Sequence, residues 1–136
     1  MADHLSKEQR SRLMSNVKGK DNQYEMAIRS ELHKRGFRFR KHLKKIPGSP
    51  DIIFTRAKVA VFIDGDFWHG YRFPQWKHKL KPFWREKIST NRNRDQNNFK
   101  KLREMGWKVI RIWQHDIEND SNSCVNRISE SVIART

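Results

Sequence analysis

The sequence predicts an α/β fold, a single domain in which helices flank a central mixed β-sheet. Two apolar stretches separated by a short turn, residues 51–55 (DIIFT) and 58–64 (KVAVFID), are typical of a β-hairpin. Helical patterns surround this hairpin, and a further strand, residues 107–113 (WKVIRIW), follows the longest of them. The 136 residues suffice for one domain with a substantial core. We expect that domain to span residues 21–136, after a basic N-terminal arm at residues 1–20.

The first predicted helix begins after Asp21, a good N-terminal cap, and ends near Gly36, where a C-terminal cap is expected. Glu25 stands three and seven residues before Ile28 and Leu32, so its carboxylate lies along the inward-facing stripe of this helix. A buried carboxylate there needs a partner or a function. The spacing alone is equally compatible with a capping or surface role for Glu25 and with a functional role.

The segments around the hairpin complete the predicted sandwich. Residues 37–40 (FRFR) alternate as an edge strand does, and residues 44–50 (KKIPGSP) form a turn rich in Pro and Gly. Residues 81–105 have a helical composition that is interrupted at residues 89–91 (STN), which predicts one bent helix or two in series. Gly106 ends this helical region.

The C-terminal segment carries a closing amphipathic helix, because Val125, Ile128 and Val132 fall at positions i, i+3 and i+7. Cys124 is the only cysteine of the chain, which excludes an intrachain disulfide and a structural zinc site built from several thiolates. We expect this thiol to be a small, partly buried side chain.

The charge of the chain favours a polyanionic partner. Lys and Arg total 30 against 15 Asp and Glu, which gives a formal net charge of +15. Nucleic acid is the commonest polyanion for such a field, and the alternatives are a merely solvated basic surface or an anionic membrane. The sequence shows no run of 18 apolar residues and no secretory signal, so neither a spanning segment nor export is expected. We expect a cytoplasmic protein.

Two acids flank the apolar hairpin. Asp51 begins one strand and Asp64 ends the other, so both lie at the open end. A two-residue loop opposes Asp51 to Phe62 and puts Asp64 on the same side, whereas one more loop residue brings Ile63 level with Asp51. The first register makes two carboxylates converge, and the second a carboxylate and a main-chain carbonyl. Either arrangement offers the hard oxygen ligands that suit Mg²⁺, and an acidic pocket in a basic protein is typical of a nuclease.

His69 follows Asp64 by five residues and is a candidate general base for phosphodiester cleavage, because imidazole titrates near neutral pH. Two acids and one His are a weakly specific pattern, and a lone His is more often structural.

Longer strings carry a more specific similarity, which spans roughly residues 6–118 in order. The sequence resembles the very-short-patch repair endonuclease family in the strings MSNVKGKDNQYE, PGSPDIIF, VAVFIDGDFWHG, FWREKISTNRNRDQNNFKKLREMGWKV and IRIW. The resemblance implies a restriction-endonuclease-like fold and a Mg²⁺-dependent enzyme. It further implies that the enzyme nicks one DNA strand beside a thymine mispaired with guanine, as part of mismatch repair.

The resemblance also implies roles for individual residues. Asp51 is the implied metal ligand, with the carbonyl of Ile63 as a second. Glu25 and His69 are implied to hold and activate metal-bound water, and Asp64 stands where the family has another polar active-site residue.

Residues that contact DNA follow from the same resemblance. Phe67 and Trp68, with Met14 from the N-terminal arm, are implied to wedge into the base stack next to the mispair. On composition alone, the aromatic pair would more often be core. The expected phosphate contacts are Lys41, Lys44, Lys45, Lys77, Lys79, Lys81, Arg92 and Arg94.

The sequence departs from the family at its structural zinc site. Many members bind zinc through Cys and His near the FWH segment and through a Cys after the IW strand. Here Asp66 occupies the first cysteine position, Tyr71 and Phe73 occupy the later positions, and WQHD follows the strand. We therefore expect no structural zinc. Asp66 also stands where related nucleases carry a Lys, so His69 must supply that function; Asp66 itself is expected on the surface or paired with a base such as Arg72.

These inferences predict a mismatch-nicking, Mg²⁺-dependent endonuclease that binds double-stranded DNA as a monomer. One alternative is a sequence-specific or structure-specific DNA endonuclease of the same fold. The other is a non-enzymatic architectural DNA-binding protein, although a pure binder gains nothing from carboxylates that face phosphate.

Overall fold

Helices and strands alternate through the computed structural model, which describes residues 22–136. In chain order they are α1 (Gln23–Lys34), β1 (Arg40–Lys41), β2 (Ile52–Phe54), β3 (Val59–Asp64), α2 (Phe73–Trp76), a 3₁₀ turn (Lys77–Lys79), α3 (Pro82–Glu104), β4 (Lys108–Trp113) and α4 (Gln114–Arg135). None of the described helices has the length and apolar character needed to cross a bilayer. The predicted N-terminal arm, with Met14, lies outside the described residues.

The strands form a mixed sheet in the order β1-β2-β3-β4. β1 and β2 are antiparallel, β2 and β3 form the predicted hairpin, and β3 and β4 are parallel. A parallel pair needs a crossover connection, and α3 provides it. The α/β architecture with helices flanking a mixed sheet is confirmed.

Helices pack against both faces of this sheet. One face contributes the strand residues Val61 and Ile112 to the main core, where Ile28 of α1 and Ile128 of α4 cover them. On the opposite face, Ala60 and Phe62 pack against Phe99 and Leu102 of α3. The strands β2 and β3 are buried throughout because each face has a helical cover.

Two local predictions about helices need correction. Asn22, and not Asp21, is the N-terminal cap of α1, since its side chain accepts a hydrogen bond from the amide of Glu25 at 3.0 Å. Of the two possibilities for residues 81–105, two helices in series is wrong, because α3 is one helix of 23 residues. Asn91 is buried there, and its amide donates to the carbonyl of Trp68 at 2.9 Å. Its polarity therefore serves a tertiary contact and does not interrupt the helix.

The edge strand is also shorter than predicted. Only Arg40 of residues 37–40 belongs to β1. Phe37 and Phe39 instead pack against the main core, and the ring of Phe39 stacks on His33 at 4.7 Å. Side-chain burial therefore takes precedence over strand pairing in this segment.

Gly70 is expected to be required for the position of the loop that follows His69. It has φ +73°, and a Cβ there would lie 2.7 Å from Ile88 Cγ2. Gly70→Ala should lower the free energy of unfolding by about 1–2 kcal/mol for the left-handed backbone and by about 1–3 kcal/mol more for the overlap. Gly36→Ala is the matched control, because Gly36 has φ +90° but nothing within 4 Å of its Cβ. Equal losses in chemical denaturation would contradict the steric argument.

Candidate active site

The four predicted catalytic residues line one open cavity at the ends of β2 and β3. Its volume is about 350 Å³. Its walls include Glu25, Asp51, Asp64 and His69, together with Ile63. The structure therefore brings together the acids and the imidazole that the sequence analysis singled out, and the proposed roles of these residues stay predictions.

Asp51 reaches the cavity from the start of β2. The hairpin pairs Ile52 with Val61, a register that places Asp51 level with Phe62 when it is continued by one residue. This is the first of the two registers considered from the sequence. Asp51 Oδ2 accepts a hydrogen bond from the amide of Ile63 at 2.7 Å. The carboxylate is thereby fixed to the end of β3.

The pKa of Asp51 is raised to about 8, mainly by burial and also by the nearby charges of Asp64 and Glu25, while the hydrogen bond from the amide of Ile63 opposes the shift. Carboxylates that lie this close repel one another unless a proton or a cation stands between them. At neutral pH this end of the cavity therefore favours a bound cation.

Glu25 enters from α1 and is 2 % exposed. Its Oε2 accepts a hydrogen bond from Arg29 Nη1 at 2.8 Å and lies 2.8 Å from His42 Nε2. His42 Nδ1 in turn lies 3.9 Å from Asp51 Oδ1. The imidazole of His42 thus stands between the two carboxylates.

Asp64 ends β3 at the other side of the cavity and belongs to a second cluster. Arg111 donates from Nε to Asp64 Oδ2 at 2.7 Å and from Nη2 to Asp95 Oδ2 at 2.8 Å. His69 lies between the same two acids, with Nδ1 2.7 Å from Asp95 Oδ2 and Nε2 3.4 Å from Asp64 Oδ1. Burial raises the pKa of Asp64, while the charges of His69 and Arg111 oppose that shift.

Two groups of side chains are close enough to hold a metal ion among the described residues. One consists of Glu25, His42 and Asp51, and the other of Asp64, His69 and Asp95. Arg111 donates to both carboxylates of the second group, whereas in the first group Arg29 donates only to Glu25. Asp51 receives a neutral backbone amide instead. The donor chemistry therefore favours the first group, at Asp51, as the place for a metal ion.

Sequence reasoning missed three residues of these clusters: His42, Asp95 and Arg111. Asp95 follows Ile88 and Asn91 by seven and four residues and precedes Phe99 by four, so it lies on the buried stripe of α3. The argument applied to Glu25 could have found it. Arg111 interrupts the apolar run of β4, but nothing local identified its partners. His42 carries no such signal in the sequence, because its left-handed φ of 55° is visible only in the structure.

The aromatic pair that was predicted to enter DNA does not line the cavity. Phe67 is 6 % exposed and stacks on Trp76 at 5.8 Å. Trp68 is partly buried, its ring centroid lies 6.2 Å from that of Trp84, and Lys87 Nζ lies 5.6 Å above its ring. Phe67 would have to leave this aromatic cluster to reach a base step, and the wedge stays a prediction for both residues.

The predicted phosphate contacts are exposed with one exception. Arg92 is partly buried, and its guanidinium lies 5.5 Å from the ring centre of Phe73. The exposed residues are Lys41, Lys44, Lys45, Lys77, Lys79, Lys81 and Arg94. Arg94 also lines the cavity, which brings a positive charge to its mouth.

Comparison with known proteins assigns the chain. The family model described as DNA mismatch endonuclease Vsr matches residues 2–75, more than half of the chain. The chain belongs to the Vsr family. The resemblance to very-short-patch repair endonucleases is confirmed, and a Vsr-family protein is a DNA endonuclease with DNA as its partner. Family membership favours an enzyme over the non-enzymatic architectural binder.

Relatives match this Vsr-family chain over most of its length. The type II nicking enzyme V.XorIIP of Xanthomonas oryzae pv. oryzae is 41% identical over 121 residues, 88% of this chain and 89% of that protein. The type II nicking enzyme V.NmeDIP of Neisseria meningitidis serogroup C is 37% identical over 133 residues, 96% and 90% of the two chains. The DNA mismatch endonuclease Vsr of Escherichia coli (strain K12) is 33% identical over 116 residues, 84% and 74%.

This Vsr-family protein is expected to contain no stoichiometric zinc. Asp66 and Tyr71 stand at positions that the resemblance assigns to zinc ligands, and both contact His115. Asp66 Oδ1 lies 2.8 Å from His115 Nδ1, and the rings of Tyr71 and His115 are 4.3 Å apart. Phe73 is buried in the aromatic cluster. Asp66 thus pairs with His115 and not with Arg72, whose guanidinium lies over the Tyr71 ring. Elemental analysis of the purified protein checks this prediction, and one tightly bound zinc per chain would contradict it.

The stability of the metal-free endonuclease is expected to fall as the pH rises from about 4 to about 8. Asp51 has its pKa raised from 3.8 to about 8 by burial, so the folded state binds its proton more tightly than the unfolded state does. This contribution to stability is complete below about pH 4 and is lost as the pH rises through about 8. Asp51→Asn should remove that share of the pH dependence in urea unfolding with a chelator present.

The matched control for this prediction is Asp116→Asn, because the Asp116 side chain is 44% exposed. It should keep the pH dependence of the natural protein. If Asp51→Asn and Asp116→Asn show the same dependence, the raised pKa of Asp51 is wrong.

Proposed function

We propose that this protein is a Mg²⁺-dependent endonuclease that nicks one strand of double-stranded DNA next to a T:G mispair, and that it binds the DNA as a monomer. The observation that carries the proposal is the cavity in which Asp51 stands among other carboxylates, in a chain whose net charge is +15. A basic surface attracts the DNA phosphates, and carboxylates that face a phosphate can hold a divalent cation that binds its oxygens. The relatives are nicking enzymes and a mismatch endonuclease, which supports both the nick and the mispair.

The residues at the Asp51 end fit a Mg²⁺ ion. Mg²⁺ prefers oxygen ligands, and Asp51 and Glu25 supply carboxylate oxygens while Ile63 lines the same wall. In the proposed site Asp51 and the carbonyl of Ile63 hold the ion, and Glu25 orients the water around it. A bound divalent ion supplies positive charge against the charge that builds on the cleaved phosphate.

His69 is proposed to accept the proton of the attacking water. It lines the cavity beside Asp64, so its ring can meet a nucleophile that approaches a phosphate lying there. Imidazole is suited to this task near neutral pH. Asp64 lies 3.4 Å from Nε2 and stabilises the positive charge that the ring gains.

Recognition of the mispair is proposed to come from a distortion of the DNA. A mispaired step is easier to unstack than a matched one, so a protein that inserts aromatic side chains gains discrimination there. Phe67 and Trp68 do not line the cavity, but they follow Asp64, which does, by only three and four residues in the sequence. Met14 is assigned to the same wedge.

Cleavage of paired duplexes tests the function. One duplex carries a single T:G mispair, the other T:A at the same position, and each strand carries its own label. We expect cleavage of one strand of the T:G duplex with Mg²⁺, little cleavage of the T:A duplex, and none with a chelator. Efficient cleavage of the matched duplex would instead support a sequence-specific endonuclease, and cleavage of both strands would contradict nicking. The mass of the complex in solution tests the one-to-one binding.

A further inference from the structure

Arg111 is the cation that joins the two acids around His69. It stands in the middle of β4, paired in register with Phe62 of β3. Its guanidinium donates to Asp64 on β3 and to Asp95 on α3, so one side chain connects both faces of that end of the cavity. Nothing in the proposed mechanism uses this residue.

The position of this guanidinium is fixed on several sides. Its Cζ lies 4.1 Å from the ring centre of Trp113 and 5.1 Å from that of Phe99. The Arg111 side chain is 17% exposed, and the carboxylates it binds are 7% and 11% exposed. Arg94 is no substitute, since its guanidinium reaches Asp95 only at 4.0 Å and its side chain is 57% exposed.

We propose that Arg111 is a positioning residue for DNA cleavage, which fixes the tautomer and orientation of His69 through Asp95. A carboxylate oxygen that receives a guanidinium N–H acts as a hydrogen-bond acceptor. Asp95 Oδ2 receives Arg111 and lies 2.7 Å from His69 Nδ1, so Nδ1 must carry the proton. Asp64 is also bound by Arg111, but it lies farther from the ring, with Oδ1 3.4 Å from Nε2. The shorter contact, at Asp95, therefore selects Nδ1 as the protonated nitrogen of the neutral ring and leaves the lone pair on Nε2.

The fork of the guanidinium matters as well as its charge. Nε and Nη2 point to different carboxylates at nearly equal distances of 2.7 and 2.8 Å. An ammonium group is a single point charge and does not reproduce this planar pair of donors. Arg111→Lys should therefore keep the charge of the cluster while loosening the position of Asp95.

The inference rests on the proposed role of His69, and its test separates the two. The variants are Arg111→Met, Arg111→Lys, His69→Ala and the control Arg135→Met; Arg135 also donates two 2.7 Å hydrogen bonds, to carbonyls of Ala57 and Gly106. The measurements are single-turnover cleavage of the duplex that the natural protein cleaves best, DNA affinity without cleavage, melting temperature, and the ¹⁵N signals of the His69 ring.

Arg111→Met is expected to slow cleavage by about 10- to 100-fold, the usual effect of losing a partner behind a functional side chain. DNA affinity should stay the same. The ¹⁵N signals should show that the proton of the neutral ring is shared between the two tautomers, on Nδ1 in some molecules and on Nε2 in others. Arg111→Lys should give a smaller loss of rate with the same change in the signals. Arg135→Met should cleave at the natural rate even if its melting temperature falls.

The inference is overturned if Arg111→Met keeps both the cleavage rate and the ¹⁵N signals of the natural protein. It is also overturned if Arg111→Lys matches the natural protein, because charge alone would then suffice; this variant carries the test if Arg111→Met does not fold. A His69→Ala variant that cleaves normally would refute the role of His69 itself, whereas the ¹⁵N signals report on Arg111 in either case.

Discussion

Asp51→Asn is expected to slow DNA cleavage by at least about three orders of magnitude, the scale of losing a principal electrostatic contribution to catalysis. The amide is nearly the same size as the carboxylate and can still accept the hydrogen bond from the amide of Ile63. It lacks the negative charge that would hold a divalent ion. Single-turnover cleavage with saturating Mg²⁺ measures the loss.

Binding to DNA should survive this substitution, and above about pH 8, where Asp51 is ionised, it should become slightly tighter because a negative charge facing phosphate is removed. The control is again Asp116→Asn, which removes an acid whose side chain is 44% exposed and lies outside the cavity. It should cleave at the natural rate. If Asp51→Asn cleaves normally with Mg²⁺, the assignment of this cavity as the active site is wrong.

Much of the fold could be predicted because local patterns and burial agree there. The hairpin strands are apolar runs that are buried on both faces, and β4 buries alternate residues at its centre. The closing helix buries Val125, Ile128 and Val132, as their spacing predicts. The sequence left open whether residues 81–105 form one bent helix or two in series, because nothing in it shows that the polar Asn91 donates to the carbonyl of Trp68 from within a single helix. Such a contact joins residues 23 apart and leaves no local trace in the sequence.

Some residues of the candidate site could likewise be placed from the sequence, and others could not. Asp51 and Asp64 could be placed at one end of the hairpin because a short turn limits where two paired strands can lie. Asp95 could have been recognised as an acid on a buried helix stripe, but neither Asp95 nor Arg111 could be placed at the site. The crossover helix and a parallel strand bring them there across long separations in sequence. Arg111, which binds Asp64 and Asp95, is thus a residue that no motif pointed to.

The aromatic pair presents the clearest tension between the sequence and the structure. The resemblance implies a wedge, while Phe67 packs as a core residue among Phe73, Trp76 and Trp84. Trp68 differs from Phe67 in that it is only partly buried. Trp68 is therefore the member of the pair that can contact DNA with less disruption of the cluster.

Trp68→Ala is expected to reduce discrimination between mispaired and matched DNA. Loss of base stacking worth about 1–3 kcal/mol should weaken binding to a T:G duplex by roughly 5- to 150-fold. A matched duplex is held mainly through phosphates and should lose much less. The salt dependence of binding should stay nearly constant, because no phosphate contact is removed.

The control must separate stacking on DNA from packing in the protein, since truncating a buried aromatic costs up to about 3–5 kcal/mol of stability. Trp107→Ala serves this purpose, because Trp107 is also partly buried but packs against the cluster formed with Phe99 and Leu102. Both substitutions should lower the melting temperature, and only Trp68→Ala should reduce the affinity ratio between T:G and T:A duplexes. Equal losses of affinity on both duplexes, together with a large fall in melting temperature, would show that Trp68 acts as a core residue and that the wedge does not exist.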